Sequence, residues 1–506
     1  MKKLFLYTVT LLLLGACSNL LEKTPQGQET SADYFKTQDG ALKATNAIYE
    51  SLRGWNTTAW GPIGLADIAS DDADKGSTST DSYDMIELNN ASYLPNNGTI
   101  QGYYNEHYQG INRTNQVIIN VPEGEFDEKL KARYIAEAKC LRAFFYFNLV
   151  RAYGGMPIVD RLLNPEEYKV ARSTREETYA FIIKDLEEAV EVLPTKSQYD
   201  LAELGRVTKG TAQALLAKVY LFQASFTGSN EDYQKSLNAA EALIQSGEYN
   251  LYPNFAEIFR LEGENCSESI FEVQTHDFQQ GGGSSQFTEI QGIRSNVLNK
   301  GWGFNVPSKS LRDAFETNDP RYDATIITAG QTLYDGEVVP RPEDGIFGDN
   351  SDPISEFYSY KVYAPSHNGG NNNSPMNIRL LRYSDIVLVA AEASNALGNS
   401  SKALGYLNNV RARARAGQNV LPDVTVSDPA QLREAIWNER RVELAMEQHR
   451  YFDLMRMDNV SPGYAKSKLV ENGDNVFDAA KNKVYPIPQA EINAVGSDIL
   501  KQNPNY

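Results

Sequence analysis

The chain has 506 residues, of which 41% are hydrophobic and 23% charged, with a formal net charge of −18. That apolar content excludes a disordered polymer, and the length admits several domains or one large helical array. So acidic a chain excludes a nucleic-acid binder, which needs basic clusters, and it suits a neutral or cationic ligand.

The N-terminus has the three parts of a secretory signal. Lys2 and Lys3 are basic, Leu4 to Leu14 is an apolar run, and Gly15 and Ala16 are small. The run is too short to span a bilayer, which takes about 20 apolar residues. Leu14-Gly15-Ala16-Cys17 resembles the bacterial lipobox. Cys17 is then the first mature residue and carries the lipid, and residues 1–16 are removed. More than one acyl chain is what stable anchoring requires. Residues 17–30, polar and broken by Pro25 and Gly27, read as a flexible tether.

Beyond the tether, helical spacing dominates. A first helix is predicted over about 39–52, from Leu42, Ala44, Ala47, Ile48 and Leu52. A loop-rich region follows, from about 55 to 99, crowded with Gly, Asp, Asn, Ser and Thr. Further helices are expected over about 101–121 and 127–153. The second carries one apolar stripe through Leu130, Tyr134, Ala138, Leu141, Phe145 and Leu149. Gly154-Gly155 and Pro157 end it. Ser173-Thr174-Arg175-Glu176 reads as a capping box opening a helix that stops at Pro194.

Two helical pairs come next. In the first, about 207–226 and 232–245, Ala214, Ala217 and Tyr220 are set to face Leu237, Ala240 and Leu243. In the second, about 383–397 and 401–416, Val387, Ala390, Ala391, Ala403, Leu407 and Val410 have the spacing of a tetratricopeptide repeat. A last long helix is expected over about 431–453. The fold class is therefore mainly α: tetratricopeptide-like helix pairs, each burying its face on a neighbour. They divide into a helical repeat region over 31–260 and another over 376–506. Between them, 261–375 shifts to Gly, Asn, Ser, Pro and aromatics and reads as a loop-rich, irregular subdomain.

Signatures of catalysis are missing. The four histidines, His107, His276, His367 and His449, are far apart in sequence, with no H-E-x-x-H spacing, so no metal is assigned. There is no G-x-S-x-G, Walker loop or dinucleotide fingerprint, so no cofactor is assigned. Asp71-Asp72-Ala73-Asp74-Lys75-Gly76 hints at calcium but lacks the terminal glutamate of a calcium loop. Glu439-Arg440-Arg441 and Glu443 alternate sign on a helix and read as structural ion pairs. An exported protein could join Cys140 and Cys266, but nothing in the sequence shows it, and they read as two unpaired thiols.

Several segments together resemble the SusD/RagB family of outer-membrane lipoproteins. They are the mature start at Cys17 through Pro25, the stretch from Ala136 to Phe147 continuing to Arg151-Ala152-Tyr153-Gly154-Gly155-Met156-Pro157, and Glu439 through Leu444 with His449 through Leu454. Tyr485-Pro486-Ile487-Pro488 and the closing Asn503-Pro504-Asn505-Tyr506 complete the set. The resemblance implies a SusD-like fold of helix pairs with a loop-rich face. It implies capture of nutrients, mostly glycans, and their delivery to a SusC-like TonB-dependent transporter at the outer membrane. The RagB branch implies a peptide ligand instead, and a surface hydrolase is the reading from another class. The resemblance implies a lipid-anchored protein facing the cell exterior; the family's export signal after the lipid cysteine is acidic, and here only Glu22 is.

The site expectation rests on aromatics in loops, which serve either as loop anchors or as ligand platforms. Of the four tryptophans, Trp437 lies in a helical pattern and reads as core. Trp55, Asn56 and Trp60 follow the first helix, in the region from which the family draws ligand contacts. Asp72, Tyr83 and Tyr93 lie further along that region. Trp302, between two glycines, is either an anchor or the residue that closes the site from the subdomain.

Overall fold

A computed structural model of the chain describes residues 34–276, 285–342, 355–365, 374–473 and 476–506. Cys17, the tether, His367 and the triplets Gly281-Gly282-Gly283 and Asn371-Asn372-Asn373 lie outside the described residues.

The helices form where the apolar spacing places them. α1 spans Gln38–Ser51, with the Thr37 side chain accepting from the Gly40 amide. Within 55–99 lie β1 (Ala73–Gly76) and α2 (Tyr83–Asn89). α3 spans Gly98–Asn120 and α4 Glu128–Tyr153. α4 ends at Gly154, whose φ of +80° is a conformation that side chains disfavour. α5 is Arg175–Val192, and its capping box is one residue later than expected. Thr174 is the N-cap, and its partner is Glu177, whose carboxylate accepts from the Thr174 amide at 2.8 Å. α6 (Lys209–Thr227) and α7 (Asn230–Gln245) are the first predicted pair. They approach closely enough for the buried Ser236 hydroxyl to donate to the Ala217 carbonyl on the facing helix at 2.7 Å.

The chain then leaves the array through β2 (Ser269–Val273). It makes α8 (Phe287–Gln291), β3 (Phe304–Pro307), β4 (Ile326–Thr328) and β5 (Phe357–Ser359), and returns through β6 (Ile378–Arg382). β2 and β6 pair antiparallel, so the excursion begins and ends at one place. β4 pairs with β5. α9 (Tyr383–Ala396) packs directly on α7, so the helical array is continuous in space across the insertion. α10 (Ser400–Arg415) pairs with α9.

The last long helix is two helices. α11 (Pro429–Glu443) stops, and α12 (Arg450–Val460) begins after a buried turn. Met446 and Gln448 in that turn have φ of +62° and +58°, with no glycine or proline to announce the break. The turn is set by tertiary partners. The Glu443 carbonyl at the end of α11 accepts from Lys361 Nζ at 2.9 Å and Arg382 Nη2 at 3.0 Å, cations suited to a helix C-terminus. The span 55–99 is also more ordered than a loop. Trp55–Ala59 and Ile63–Ile68 are wide π-helical turns joined by Trp60–Pro62, and Ile63 to Ile68 is buried throughout.

The charges of α11 are buried and reach across the molecule rather than along the helix. Glu439 accepts from Arg321 and Arg411. Arg440 donates to Asp385 and Asp453, and Arg441 to Asp72. Glu443 meets Arg321, Arg382 and Arg413. Trp437, on the same helix, is fully buried. The Glu443→Ala chain should lose about 3 kcal/mol in chemical denaturation, the lower end for stranding buried charges, because each arginine keeps a second carboxylate. Glu50→Ala, which breaks an exposed pair with Arg53, should lose less than about 1 kcal/mol. Equal losses at the two positions would refute the network's structural role.

Candidate functional site

The three loop tryptophans come together. Trp55 and Trp60 stack, with ring centroids 5.3 Å apart and planes 17° from parallel. Trp302 lies 5.9 Å from Trp55 at a tilt of 50°. Phe304 meets Trp60 edge-on at 5.1 Å. All three indoles are half-buried, so each keeps part of its surface in solvent.

Each ring is held from a different element. Trp55 opens the first π-helical turn, which Glu106 of α3 fastens. Its carboxylate accepts from the Asn56 amide N–H and the Asn56 side chain at 2.8 Å each, and from the Thr57 hydroxyl at 3.1 Å. Trp60 donates its indole N–H to the Thr99 hydroxyl at 3.0 Å, which fixes the ring and leaves its faces for packing. Gly61 is required here, because a Cβ would stand 2.3 Å from the Asn56 carbonyl oxygen. Trp302 is fixed through its backbone, its N–H donating to the Glu289 carbonyl at 2.8 Å. Gly301 has no room for a side chain against that same carbonyl. Burial raises the pKa of the Glu289 carboxyl, while hydrogen bonds from Gln286 and Trp302 oppose the rise.

The cluster sits on a seam between segments distant in sequence. β1 pairs antiparallel with β3, Gly76 opposite Phe304 and Asp74 opposite Val306. Lys75 Nζ stands 5.4 Å from the centre of the Phe304 ring. Arg294 of the insertion donates to the Asp81 carboxylate at 2.6 Å. The insertion therefore closes onto the residues after α1.

The other expected site residues are placed differently. Asn56 adjoins the cluster, but its amide is engaged by Glu106. Asp72 is buried, with its carboxylate 2.7 Å from Arg441 Nε. Asp71 beside it takes two hydrogen bonds from Arg450, at 2.7 and 2.8 Å. Burial pushes the Asp71 carboxyl up, but Arg450 and Arg441 outweigh it and hold its pKa at about 2. Two acids of the run, Asp71 and Asp72, are thus paired with arginines, and Asp74 is exposed. Tyr93 is fully buried, its hydroxyl 3.1 Å from that of Tyr451 and accepting from Asn482 at 3.0 Å, so it belongs to the core. Tyr83 is 75% exposed on α2 and shares no ring contact with the indoles among the described residues. Cys140 and Cys266 are both free thiols, the first buried within α4.

The structure adds Glu106, Thr99 and Phe304 to the site. Only Phe304 had a signal in the sequence: it follows Trp302 by two residues, the spacing that puts extended side chains on one face. Among the described residues no group of three metal-binding side chains gathers, and no helix is long and apolar enough to cross a membrane. What the arrangement offers chemically is an aromatic surface with polar groups at its margin.

Known proteins share the whole of this architecture. Residues 267–506 match the model of the SusD family, and residues 42–221 match one described as starch-binding and associating with the outer membrane. SusD-like protein P2 of Formosa agariphila is 30% identical over 522 aligned residues, covering 99% of each chain. A solved laminarin-binding SusD-like protein is 28% identical, with a TM-score of 0.76 over 93% of this chain and all of that one. Surface glycan-binding protein A from Bacteroides thetaiotaomicron is 27% identical, with a TM-score of 0.76 over 94% of this chain and all of that one. The chain, matched over 99% of its length by the first of these relatives, belongs to the SusD family.

Proposed function

We propose that this protein binds glycans at the outer membrane, anchored through a lipid on Cys17, and hands them to a SusC-like TonB-dependent transporter. The observation that carries the binding step is the half-buried cluster of Trp55, Trp60 and Trp302. Sugar rings present apolar C–H faces, and a fixed indole surface receives them without losing side-chain freedom. Two structural neighbours that bind laminarin or surface glycans, by their names, support the ligand class. The family model that names association with the outer membrane supports the location. The transporter rests on the family resemblance.

We read the protein as a binder without catalysis. A glycosidase needs two carboxyl groups flanking the bond to be cleaved. Of the carboxylates on the segments that hold the indoles, Glu106 is occupied by the turn it fastens, Asp81 by Arg294, and Glu289 by hydrogen bonds from Gln286 and Trp302. A surface hydrolase would instead release products over time from a glycan incubated with the protein. A RagB-like peptide binder would ignore every polysaccharide and retain peptides.

Retardation gels with laminarin, starch and other polysaccharides, followed by calorimetry, test the reading. Trp55→Ala, Trp60→Ala and Trp302→Ala should each weaken the retained glycan by about 1–3 kcal/mol, by analogy with base–aromatic stacking. Folded variants that all bind like wild type would move the site elsewhere. The anchor is tested in native cells. The wild-type chain should fractionate with membranes and, in mild detergent, bring down a large outer-membrane barrel, whereas Cys17→Ala should be released. Membrane retention of the Cys17→Ala chain would refute the anchor, and repeated recovery of the wild type alone would refute the partnership.

A further inference from the structure

Beneath the indole cluster lies a carboxylate that belongs to none of the ion-pair networks. Asp67, in the second π-helical turn after Trp60, is 1% exposed. Its Oδ1 accepts from the Gln448 backbone N–H at 3.1 Å. Its Oδ2 accepts from Gln448 Nε2 at 3.0 Å and Asn305 Nδ2 at 3.1 Å. Among the described residues no cation lies within ion-pair distance of it. Asn305 donates the same amide to Gln291 Oε1 at 2.7 Å, and Gln291 donates to the Phe287 carbonyl at 3.0 Å. One buried chain of polar groups therefore ties the turn below Trp60 to β3, to α8 and to the turn between α11 and α12.

The members of this chain are the neighbours of the aromatics. Asn305 adjoins Phe304, which packs on Trp60. Gln291 lies in α8, whose Glu289 carbonyl holds the Trp302 backbone. Asn305 and Gln448 both have positive φ, +58° in each case, a conformation uncommon outside glycine that Asn tolerates better than Gln. Asp67 is the partner that the two share.

We propose that Asp67 is the positioning residue that sets the Trp55–Trp60–Trp302 geometry, and that it does so in a proton-dependent way. The proposal deepens the glycan-binding reading by assigning a control residue to the same site. With the carboxylate charged, the Asn305 and Gln448 amides all donate inward. With the carboxyl protonated, its O–H needs an acceptor. The Asn305 Oδ1 atom is buried and accepts no hydrogen bond among the described residues. Reversal of the Asn305 amide turns that oxygen toward Asp67, and Gln291 must reorient with it. The linkage between β3 and α8 changes accordingly.

The titration falls in an accessible window. Burial raises the Asp67 pKa to about 7, against hydrogen bonds from Asn305 and Gln448 that favour the charged form, and the charge on Asp72 adds to the rise. The surrounding charged groups are otherwise engaged. Asp71 and Asp72 pair with Arg450 and Arg441, and Glu447 with Arg382 and Lys361. His449 is pushed down by burial to about 3 and stays neutral. At the seam, Lys75 donates to the Thr78 and Asp81 carbonyls, Asp74 is exposed, and burial raises Glu289. Because the folded pKa lies above the unfolded one, the native state holds a proton that the unfolded chain has lost. Stability from this group is full at acid pH and falls as pH rises through about 7.

Intrinsic fluorescence of the ligand-free protein between pH 5.5 and 8.5 tests the coupling, since three of the four tryptophans report on the cluster. The wild type should show an inflection near pH 7 that is much reduced in Asp67→Asn. Glu264, at the base of the insertion, is also raised to about 7 by burial, and its contribution survives in Asp67→Asn. Should that variant fail to fold, Asn305→Ala serves: it removes the amide whose reversal carries the change to β3, so the inflection should shrink. No inflection in the wild type, or the full inflection in Asp67→Asn or in Asn305→Ala, would overturn the proposal. Laminarin titrations at pH 6 and pH 8 add a downstream reading, with a several-fold affinity ratio expected only where Asp67 is present. If laminarin is not bound at either pH, that strikes the glycan reading, while the ligand-free titration still decides the role of Asp67.

Discussion

The fold depends on the buried charges of α11. Glu443 is the centre: three arginines, Arg321, Arg382 and Arg413, converge on its carboxylate. Burial alone would raise its pKa, but Arg413, Arg382 and Arg321 outweigh that and hold it well below the usual carboxylate range. Arg321 and Arg382 come from the insertion and Arg413 from α10, so one side chain joins the excursion to the helical array. Arg441 carries the network on to Asp72 in the segment after α1. Such pairs add little net stability over apolar packing. Their effect is on alternatives: an insertion docked in another way would leave several charges buried without partners, at several kcal/mol each.

This explains what the sequence tells and what it withholds. Helical spacing is local, and the stripe on α4 or the small residues of α6 and α7 could be read directly. The sign alternation of Glu439, Arg440, Arg441 and Glu443 was legible as ion pairing, but not its direction, because partners such as Arg321 and Asp72 meet α11 only in three dimensions. The break after Glu443 was illegible for the same reason. Nothing in Leu444 to His449 opposes a helix, and the stop is imposed by Lys361 and Arg382 at the Glu443 carbonyl. The span 55–99 misled in the opposite sense. Its Gly and Thr residues resemble loop composition, yet Ile63 to Ile68 is buried in a wide helical turn that follows no regular period.

Within that span, the tryptophans were legible and their neighbours were not. A large aromatic among glycines has few roles, so Trp55, Trp60 and Trp302 could be singled out without knowing that they meet. Asp72 and Tyr93 belong to residue types that serve a ligand or a buried network equally well, and only burial separates the two. Asp72 meets Arg441 and Tyr93 meets Tyr451, partners near the far end of the chain.

The placement of the cluster at a seam has its own logic. Closing a long excursion costs entropy that grows only slowly with length. The β2–β6 pair closes the insertion at its base, and the β1–β3 pair holds it to the segment after α1. The rings that bridge the seam are then set by backbone already fixed on both sides, by Glu106 below Trp55 and the Glu289 carbonyl behind Trp302. An aromatic surface held in this way has little side-chain freedom left to lose. The same arrangement couples the rings. Trp55 touches both Trp60 and Trp302, so removing it disturbs two neighbours, whereas Trp302 can be removed with the stacked pair left in contact. The three indoles are therefore one surface rather than three independent contacts, and their energetic contributions will not add.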